Sequence, residues 1–327
     1  MRVQTTSSPP GGWKHIVTEP DLTPGSDAWL KLVTASKVPA IVGTSPWDSP
    51  YSIWMKMAGR LPREKTTEAM VRGTLLEPAI LAWWKAKHPE YHTLREQVIY
   101  RKGKWLLITP DGIATDWNDE SVVVEAKSAS RLDHWGDPGT DQIPPYYRPQ
   151  VQMQLHVTGL KKAFVPVIGP YLEFREYVVT ADEAYGQELE EYCEWFHGTI
   201  QAGVEPPLDK HPATYDAVRR IHEGIEDGVA VELDTGLAVE YIASLSGFTE
   251  AEHRMKAAKA EVLDLMKKAE FATCNGEVVA KRKRNRYNVH LEQVCKDVSV
   301  FDREQLGANS PDQPFATQTF DTTTEAV

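Results

Sequence analysis

Apolar residues recur at helical spacing in several stretches of this chain. The apolar positions of residues 72–88 fall on one side of a helix, and Pro89 is a typical end for it. Residues 149–156 and 182–202 are also predicted to be helical, and Pro149 stands where the first turn of a helix tolerates proline. We therefore predict three helices in this part of the chain.

Short runs of β-branched, aromatic and other apolar residues lie among these helices and predict strands. Turn residues separate the first four runs, so we expect these runs to form a meander. The predicted strands are residues 97–100, 104–109, 112–115, 122–127, 163–168 and 173–179. Helices and strands follow one another along the chain, and this order predicts a mixed α/β fold.

The pattern changes after Pro206. Residues 236–269 read as one or two helices, and a β-like run at 277–281 leads into the basic run 281–286. The two ends of the chain are polar and show no periodicity, which is typical of disordered segments. We predict a flexible leader at residues 1–12, a main domain at 13–205, a mainly helical accessory region at 206–306 and a disordered tail at 307–327.

The charge and the cysteines narrow the function classes. A formal net charge of −11 argues against a protein that coats DNA non-specifically, because such proteins carry an excess of lysine and arginine. It still permits a metal-dependent enzyme whose positive surface is confined to one channel. The three cysteines, Cys193, Cys274 and Cys295, are too few and too scattered for a disulfide framework or a CxxC metal site.

The hydropathy pattern also bears on the place of action. No stretch approaches the roughly 18 apolar residues of a membrane span, and residues 1–12 lack the apolar centre of a secretory signal. We therefore expect the protein to work in the cytoplasm without contact to a membrane.

Two short segments carry the candidate chemistry. Residues two apart in a strand point to the same face, so Glu125 and Lys127 are expected to project together. Asp111, just before the preceding strand, supplies a second carboxylate if the two strands are neighbours. Two carboxylates beside an ammonium can hold Mg²⁺ or Mn²⁺ and hydrolyse a phosphodiester. The alternative, an ordinary ion pair at a strand end, is common for a lone Glu-x-Lys.

Further polar residues extend this candidate site. Glu77 lies within the apolar helix, where it could reach the sheet as another metal ligand or simply be solvated near the N-terminus of the helix. Gln150 and Gln154 are one helical turn apart and share a face that could meet a phosphate or a water. A polar helix face without function is the alternative for both glutamines.

The order of these motifs resembles the phage recombination exonucleases of the YqaJ and lambda exonuclease family, in the PD-(D/E)xK nuclease superfamily. Each motif alone is weak, but the series is specific, and it covers roughly residues 29–201. The motifs are SPWDSPYSIW at 45–54, RGTLLE at 72–77, TPDG at 109–112, EAK at 125–127 and PYYRPQVQ at 145–152.

The resemblance implies a restriction-endonuclease-like core, with a mixed central sheet flanked by helices. It also implies a Mg²⁺- or Mn²⁺-dependent enzyme that digests linear double-stranded DNA from 5′ to 3′ and leaves single strands for an annealing recombinase. Some relatives form toroidal trimers, so a homo-oligomer is expected. If the chain is encoded by a phage, its location is the host cytoplasm. The active-site residues that the resemblance implies are Glu77, Asp111, Glu125, Lys127 and Gln150, of which Glu77, Asp111 and Glu125 are the expected metal ligands.

A further match concerns the end of the DNA. Trp29 followed by Thr34-Ala35-Ser36 resembles the segment that binds the terminal 5′-phosphate, which implies Ser36 and Thr34 as ligands. The arginine expected between them is missing, and Lys31 is the nearest cation. This departure puts a strict 5′-phosphate requirement in doubt.

Aromatic and amide side chains are also candidate DNA contacts. Trp47, Tyr51, Trp54 and Trp135 are able to stack on a base. We expect Trp54 in the core and Trp135, in the long loop 131–145, at the DNA, together with Gln154.

Two other functions remain open at this point. One is a nuclease similar to RecB or Cas4 without the iron–sulfur cluster, since that cluster needs four cysteines. The other is a DNA-binding protein that has the fold but has lost the chemistry. A nuclease assay with and without Mg²⁺ separates the second from the enzymes.

Overall fold

The structure is a computed structural model that describes residues 14–16, 22, 25–63, 66–96, 98–284 and 289–295. The chain divides into two compact units, Met1–Glu226 and Asp227–Val327. The predicted leader and tail lie outside the described residues.

Sequence signals at helix ends explain several boundaries in the first unit. Ser49 and Ser52 form a capping box at the start of one helix, Thr67 caps a second, and Gly159 ends a third in a left-handed conformation with φ 70°. The helices of this unit are α1 Asp27–Leu30, α2 Val38–Ile41, α3 Pro50–Met57, α4 Glu68–Lys87, α5 Arg148–Thr158, α6 Glu183–Ala202 and α7 Pro212–Ile221.

The main sheet contains both parallel and antiparallel pairs. Its strands are β3 Tyr91–Glu96, β6 Gly112–Asp116, β7 Ser121–Val124, β8 Lys127–Ser128, β9 Lys162–Ile168 and β10 Phe174–Thr180. The order is β10-β9-β7-β6-β3, and β8 pairs with β9. Strands β7 and β8 run parallel to β9, whereas the other neighbours are antiparallel. The predicted mixed sheet is confirmed.

A second sheet corrects the predicted meander. It contains β1 Lys14–Ile16, β2 Val33–Thr34, β4 Ile99–Lys102 and β5 Leu106–Ile108, in the order β1-β4-β5-β2. Strands β4 and β5 pair with each other and with segments near the N-terminus, and β6 pairs with β3 and β7 instead of β5. Within the described residues the β4–β5 and β6–β7 hairpins of the predicted meander are present, but the predicted pairing of β5 with β6 is not.

Helices cover both faces of the main sheet. Side chains alternate along each strand, so successive residues enter different clusters. The cluster that includes Val151 and Leu155 of α5 takes up Ile113, Val123, Val165 and Val167 from the strands. The cluster that includes Leu81 and Trp84 of α4 takes up Ala114, Val122, Val124 and Phe164. The mixed α/β class with flanking helices is confirmed.

Helix α7 belongs to the first unit. It packs against α3, and the hydroxyls of Ser49 and Thr214 are hydrogen-bonded at 2.6 Å. The compact first unit therefore extends to Glu226, beyond residue 205 at which the sequence analysis ends the main domain.

The second unit consists of a long helix and a small sheet. Helix α8 spans Thr235–Met266, and strands β11 Phe271–Cys274, β12 Glu277–Arg284 and β13 Val289–Gln293 pair in that order. The predicted helix and the predicted strand at 277–281 are both present. Asn285 and Arg286 of the basic run lie outside the described residues. Among the described helices, none combines the length and the hydropathy that a membrane crossing requires.

Candidate active site

Two carboxylates meet at one end of the β6–β7 hairpin. Gly112 is paired with Val124 in the antiparallel register, so Asp111 precedes β6 where Glu125 follows β7. The backbone N–H of Glu125 donates to the carbonyl of Phe164 at 2.9 Å, which ties this strand end to β9. The sequence analysis brought Asp111 to Glu125 on the condition that the two strands are neighbours, and the register meets that condition.

A hydrogen bond from the backbone to a side chain links the two strand ends that carry the carboxylates. The N–H of Ala126 donates to Oδ2 of Asp111 at 2.8 Å. The backbone of Ala126 therefore fixes the carboxylate of Asp111. The side chains of Glu125 and Lys127, on either side of Ala126, are hydrogen-bonded to each other. All three residues of Glu125-Ala126-Lys127 thus contribute a contact to the candidate site.

Glu125 is the centre of a hydrogen-bond network. Its side chain is 3% exposed, and its Oε1 accepts from Nζ of Lys127 at 2.6 Å and from Nε2 of Gln150. Its Oε2 accepts from Nε2 of Gln154 at 2.7 Å. The amide oxygen of Gln150 also accepts from Nζ of Lys127 at 3.2 Å. Helix α5 therefore places both predicted glutamines against the glutamate, one turn apart.

Burial and mutual repulsion affect the acids of this site. The pKa of Asp111 is raised well above its usual range, first by burial and then by the charge of Glu125. Burial raises the pKa of Glu77 as well, and Glu125 is again the next cause. The charge of Glu125 therefore affects Glu77, which lies on helix α4.

Lys127 keeps its charge in this setting. Burial alone would lower the pKa of Lys127, but the nearby carboxylates of Glu125 and Asp111 outweigh burial and raise the pKa above its ordinary value. Its Nζ also lies 4.9 Å from the ring centroid of Tyr147, at the N-terminus of α5. The group is a permanent hydrogen-bond donor and positive charge at neutral pH.

The donor set suits a hard divalent cation. Asp111 and Glu125 offer carboxylate oxygens side by side, and a dication would relieve the repulsion that raises the pKa of Asp111. In the part of the chain that the structure describes, no three His, Cys, Asp or Glu side chains form a metal-binding group. Two carboxylates suffice for Mg²⁺, which usually keeps several waters.

The comparisons with known proteins point to one family. Residues 27–161 match the model of the YqaJ-like viral recombinase domain. Residues 27–161 of the chain are therefore similar to this domain family. The match includes Glu77, Asp111, Glu125, Lys127 and Gln150. The chain is also 24% identical to the protein YqaJ of Bacillus subtilis (strain 168) over 261 residues, which are 75% of this chain and 79% of that protein.

Two solved structures are similar at low scores. An alkaline exonuclease, LHK-Exo, from Laribacter hongkongensis is 21% identical with a TM-score of 0.43, and covers 54% of this chain and 90% of its own. A phage-related exonuclease from Haemophilus somnus 129PT is 11% identical with a TM-score of 0.40, and the match covers 53% of this chain and 95% of that one.

The segment predicted to bind a 5′-phosphate carries two neighbouring hydroxyl groups. The hydroxyls of Thr34 and Ser36 lie 3.1 Å apart, with Thr34 buried and Ser36 exposed. Lys31 is exposed and lines a cavity of about 220 Å³ with Trp54 and Arg60, to which neither hydroxyl contributes. The structure joins the two hydroxyls but does not join Lys31 to them.

Sequence reasoning missed Lys37, which follows this segment directly. Its side chain is buried, and its Nζ donates to the carbonyls of Trp29, Leu30 and Leu32 at 3.0, 2.8 and 2.7 Å. Burial lowers the pKa of Lys37 to about 7. A lysine next to Thr34-Ala35-Ser36 reads as a surface residue, so the sequence offered no signal for this role.

Two predicted DNA contacts need correction. Trp135 is only 7% exposed and packs against Tyr147 and Tyr177 at ring distances of 5.7 and 4.9 Å. The prediction that Trp135 faces DNA is wrong, because the loop folds its indole into the core. Gln154 is fully buried and donates to Glu125, so it holds the glutamate and does not reach DNA. Trp54 lies in the core, as predicted.

Proposed function

We propose that this protein is a divalent-metal-dependent exonuclease that digests one strand of linear double-stranded DNA from 5′ to 3′. The observation that carries the proposal is the group formed by Asp111, Glu125 and Lys127 at one end of the hairpin, inside a YqaJ-like viral recombinase domain. The product would be 3′ single-stranded DNA, the substrate of a single-strand annealing recombinase.

Asp111 and Glu125 are the proposed ligands of Mg²⁺ or Mn²⁺, and Glu77 is a further candidate from α4. A bound cation supplies Lewis-acid charge at the scissile phosphate and acidifies a water. The side chains of the protein supply the other contacts to the reacting groups. Lys127, held in its charged form, donates hydrogen bonds to the phosphate or the attacking water and offsets negative charge.

Gln150 and Gln154 have different proposed tasks. Both amides donate to Glu125, and Gln154 does so from a buried position. Gln154 therefore fixes the carboxylate. Gln150 is half-buried and lies against both Glu125 and Lys127, so it can orient the water or the phosphate directly.

The proposed polarity rests on Thr34 and Ser36. Paired hydroxyls can donate to a terminal phosphate, and such bonds are charge-assisted when a cation is near. Lys31 is the proposed cation. A lysine is a point charge without the planar fork of arginine, so we expect a moderate preference for 5′-phosphate over 5′-hydroxyl ends.

One digestion experiment tests activity, metal use and polarity together. Linear duplex DNA carries a label at either the 5′ or the 3′ end and is incubated with Mg²⁺, Mn²⁺, Ca²⁺ or EDTA, with closed circular DNA as the control. We expect 5′-to-3′ degradation with Mg²⁺ or Mn²⁺, little with Ca²⁺ because its looser shell positions water poorly, and none with EDTA or on circles. Full activity in EDTA would overturn the metal mechanism, and degradation from 3′ ends would overturn the polarity.

We also propose a homo-oligomer that acts in the cytoplasm, the host cytoplasm if a phage encodes the chain. Light scattering of the purified protein, alone and with linear DNA, measures the number of copies. A monomer under both conditions would contradict this part of the proposal.

A further inference from the structure

An exposed tryptophan stands next to the candidate active site. Trp47 is 62% exposed, and its ring lies 5.1 Å from that of Tyr146 and 6.1 Å from that of Tyr147. Tyr147 in turn lies 4.9 Å from Nζ of Lys127. A continuous row of aromatic rings therefore leads from the catalytic lysine to the surface.

The loop that carries Trp47 is fixed by hydrogen bonds on both sides. The buried hydroxyl of Ser45 accepts from the backbone N–H groups of Trp47 and Asp48 at 3.1 and 3.2 Å, and the ring of His211, the N-cap residue of α7, donates to the carbonyl of Ser45 at 3.0 Å. The carboxylate of Asp48 accepts from Lys56 of α3 at 2.5 Å. The indole is thus held in place before any ligand arrives, which lowers the entropy cost of binding.

Trp47 also lines a groove large enough for a ligand. This groove has a volume of about 860 Å³, and Trp47 lines it together with Lys56, Arg63, His211 and Arg219. An indole that contacts two tyrosines and also lines a groove with charged residues is suited to receive a flat, partly polar ring. Tryptophan is enriched at binding interfaces because its ring combines a large apolar surface with a polar N–H group.

We infer that Trp47 is a stacking platform for a nucleobase of the cleaved strand, close to the scissile phosphate. The inference rests on the proposed function, because the phosphate must sit at Lys127. Ring spacings of 4.9 and 6.1 Å then place Trp47 within about three nucleotide steps of that phosphate. Base stacking on an aromatic ring is independent of sequence, as digestion of arbitrary DNA requires.

The experiment removes the ring from the protein and the base from the DNA, separately and together. Trp47→Ala and Trp47→Phe are compared with wild type on linear duplexes that are intact or carry one abasic nucleotide at positions one to four from the cleaved end. KM and kcat are measured, and dissociation constants are taken in Ca²⁺. The matched control is Trp117→Ala, a tryptophan that is 74% exposed in the turn at the opposite end of the same hairpin.

On intact DNA, Trp47→Ala should raise KM or the dissociation constant by about 5- to 150-fold, Trp47→Phe by less, and Trp117→Ala not at all. An abasic nucleotide at one of these positions should weaken the wild type by a similar factor but leave Trp47→Ala nearly unchanged, since each change removes the same contact. Circular dichroism checks that each variant is folded.

The outcomes separate the platform from the proposed function. If wild type degrades DNA and Trp47→Ala matches it on every substrate, the platform is wrong and the nuclease stands. If Trp47→Ala weakens binding equally on intact and abasic DNA, the indole contacts the DNA backbone or a partner chain, and the stacking assignment is wrong. If wild type neither binds nor degrades DNA, both proposals fall.

Discussion

At the scale of single residues, Glu125 is the side chain on which β8 and helix α5 meet. It receives hydrogen bonds from Lys127 beside it and from Gln150 and Gln154 on α5. Burial raises the pKa of Asp111, and the charge of Glu125 raises that pKa further. Burial of an anion is unfavourable, and buried carboxylates of this kind are concentrated at functional sites, where their charge binds a ligand or takes part in the reaction. Neutralising Glu125 should therefore remove function more than fold.

Glu125→Gln is expected to lower the rate of DNA cleavage by at least about 100-fold, because a neutral amide cannot hold a divalent cation as a carboxylate does. The rate is measured on linear duplex with Mg²⁺, and the melting temperature reports folding. Glu188→Gln, an exposed glutamate of α6, serves as the control and should leave the rate unchanged. A folded Glu125→Gln with near wild-type turnover would rule out the site.

Lys37 provides a residue-scale prediction about stability and pH. Its pKa is about 7 in the folded chain, because of burial, against 10.5 for an unperturbed lysine. Between these values the unfolded chain binds more protons, so stability rises with pH by up to about 1.4 kcal/mol per pH unit. This contribution is lost as pH falls from 10.5 to about 7, and it changes little below that. Urea unfolding of wild type and Lys37→Met at pH 6 and pH 8.5 should show a difference that favours wild type more at pH 8.5.

The control for this comparison is Lys31→Met, since Lys31 is exposed. Its difference from wild type should not depend on pH in the same window. A pH-independent difference for Lys37→Met as well would show that the three carbonyl oxygens keep the ammonium charged, and that burial does not set its titration.

The residues that the sequence could predict are those tied to local geometry. Glu125 and Lys127 share a side because strand residues alternate, and Gln150 and Gln154 meet Glu125 because a helical turn spaces them. The prediction that Trp135 faces DNA was wrong because the exposure of a loop side chain depends on which distant elements cover it. Tyr177 lies about 40 positions away in sequence, and no local pattern indicates that packing.

At the scale of elements, helix positions followed from periodicity and capping residues, whereas strand pairing did not. Strands β4 and β5 form a hairpin as neighbours in sequence, but their other partners, β1 and β2, lie near the N-terminus. Such pairing is set by long-range packing that alternation cannot show. The β6–β7 hairpin was predictable because its two strands adjoin in sequence, and this hairpin positions the site.

At two glycines of α6, substitution by alanine is expected to change the stability of the chain in opposite directions. A Cβ on Gly186 would lie 2.8 Å from Cβ of His156, where α6 crosses α5, whereas a Cβ on Gly198 would meet nothing within 4 Å. We expect Gly186→Ala to destabilise the chain by about 1–2 kcal/mol through overpacking, net of its helix propensity, and Gly198→Ala to stabilise it by up to about 1 kcal/mol. Denaturant unfolding of both variants measures this, and equal effects would contradict the close crossing.

At the scale of the whole molecule, the apolar cores and the candidate site lie within the first unit. The four buried clusters of the described residues fall between Leu22 and Ile221. Helix α8 of the second unit, in contrast, leaves large apolar side chains exposed at helical spacing, among them Leu237, Tyr241, Leu245 and Phe248. Such a stripe is typical of a surface that associates with another chain or ligand.

A chain that ends after Glu226 should therefore fold and keep hydrolysing short duplex DNA, because it retains every buried cluster and every candidate site residue. It should lose DNA affinity, processivity or oligomer size, since it lacks the stripe of α8 and the basic strand β12. Light scattering gives the oligomer size, and digestion of short and long duplexes gives rate and processivity. Leu245→Glu with Phe248→Glu in the full chain is the matched test, because it removes the stripe alone. A truncated chain that is folded by circular dichroism yet inactive on short DNA would contradict the prediction and place part of the active site in the second unit.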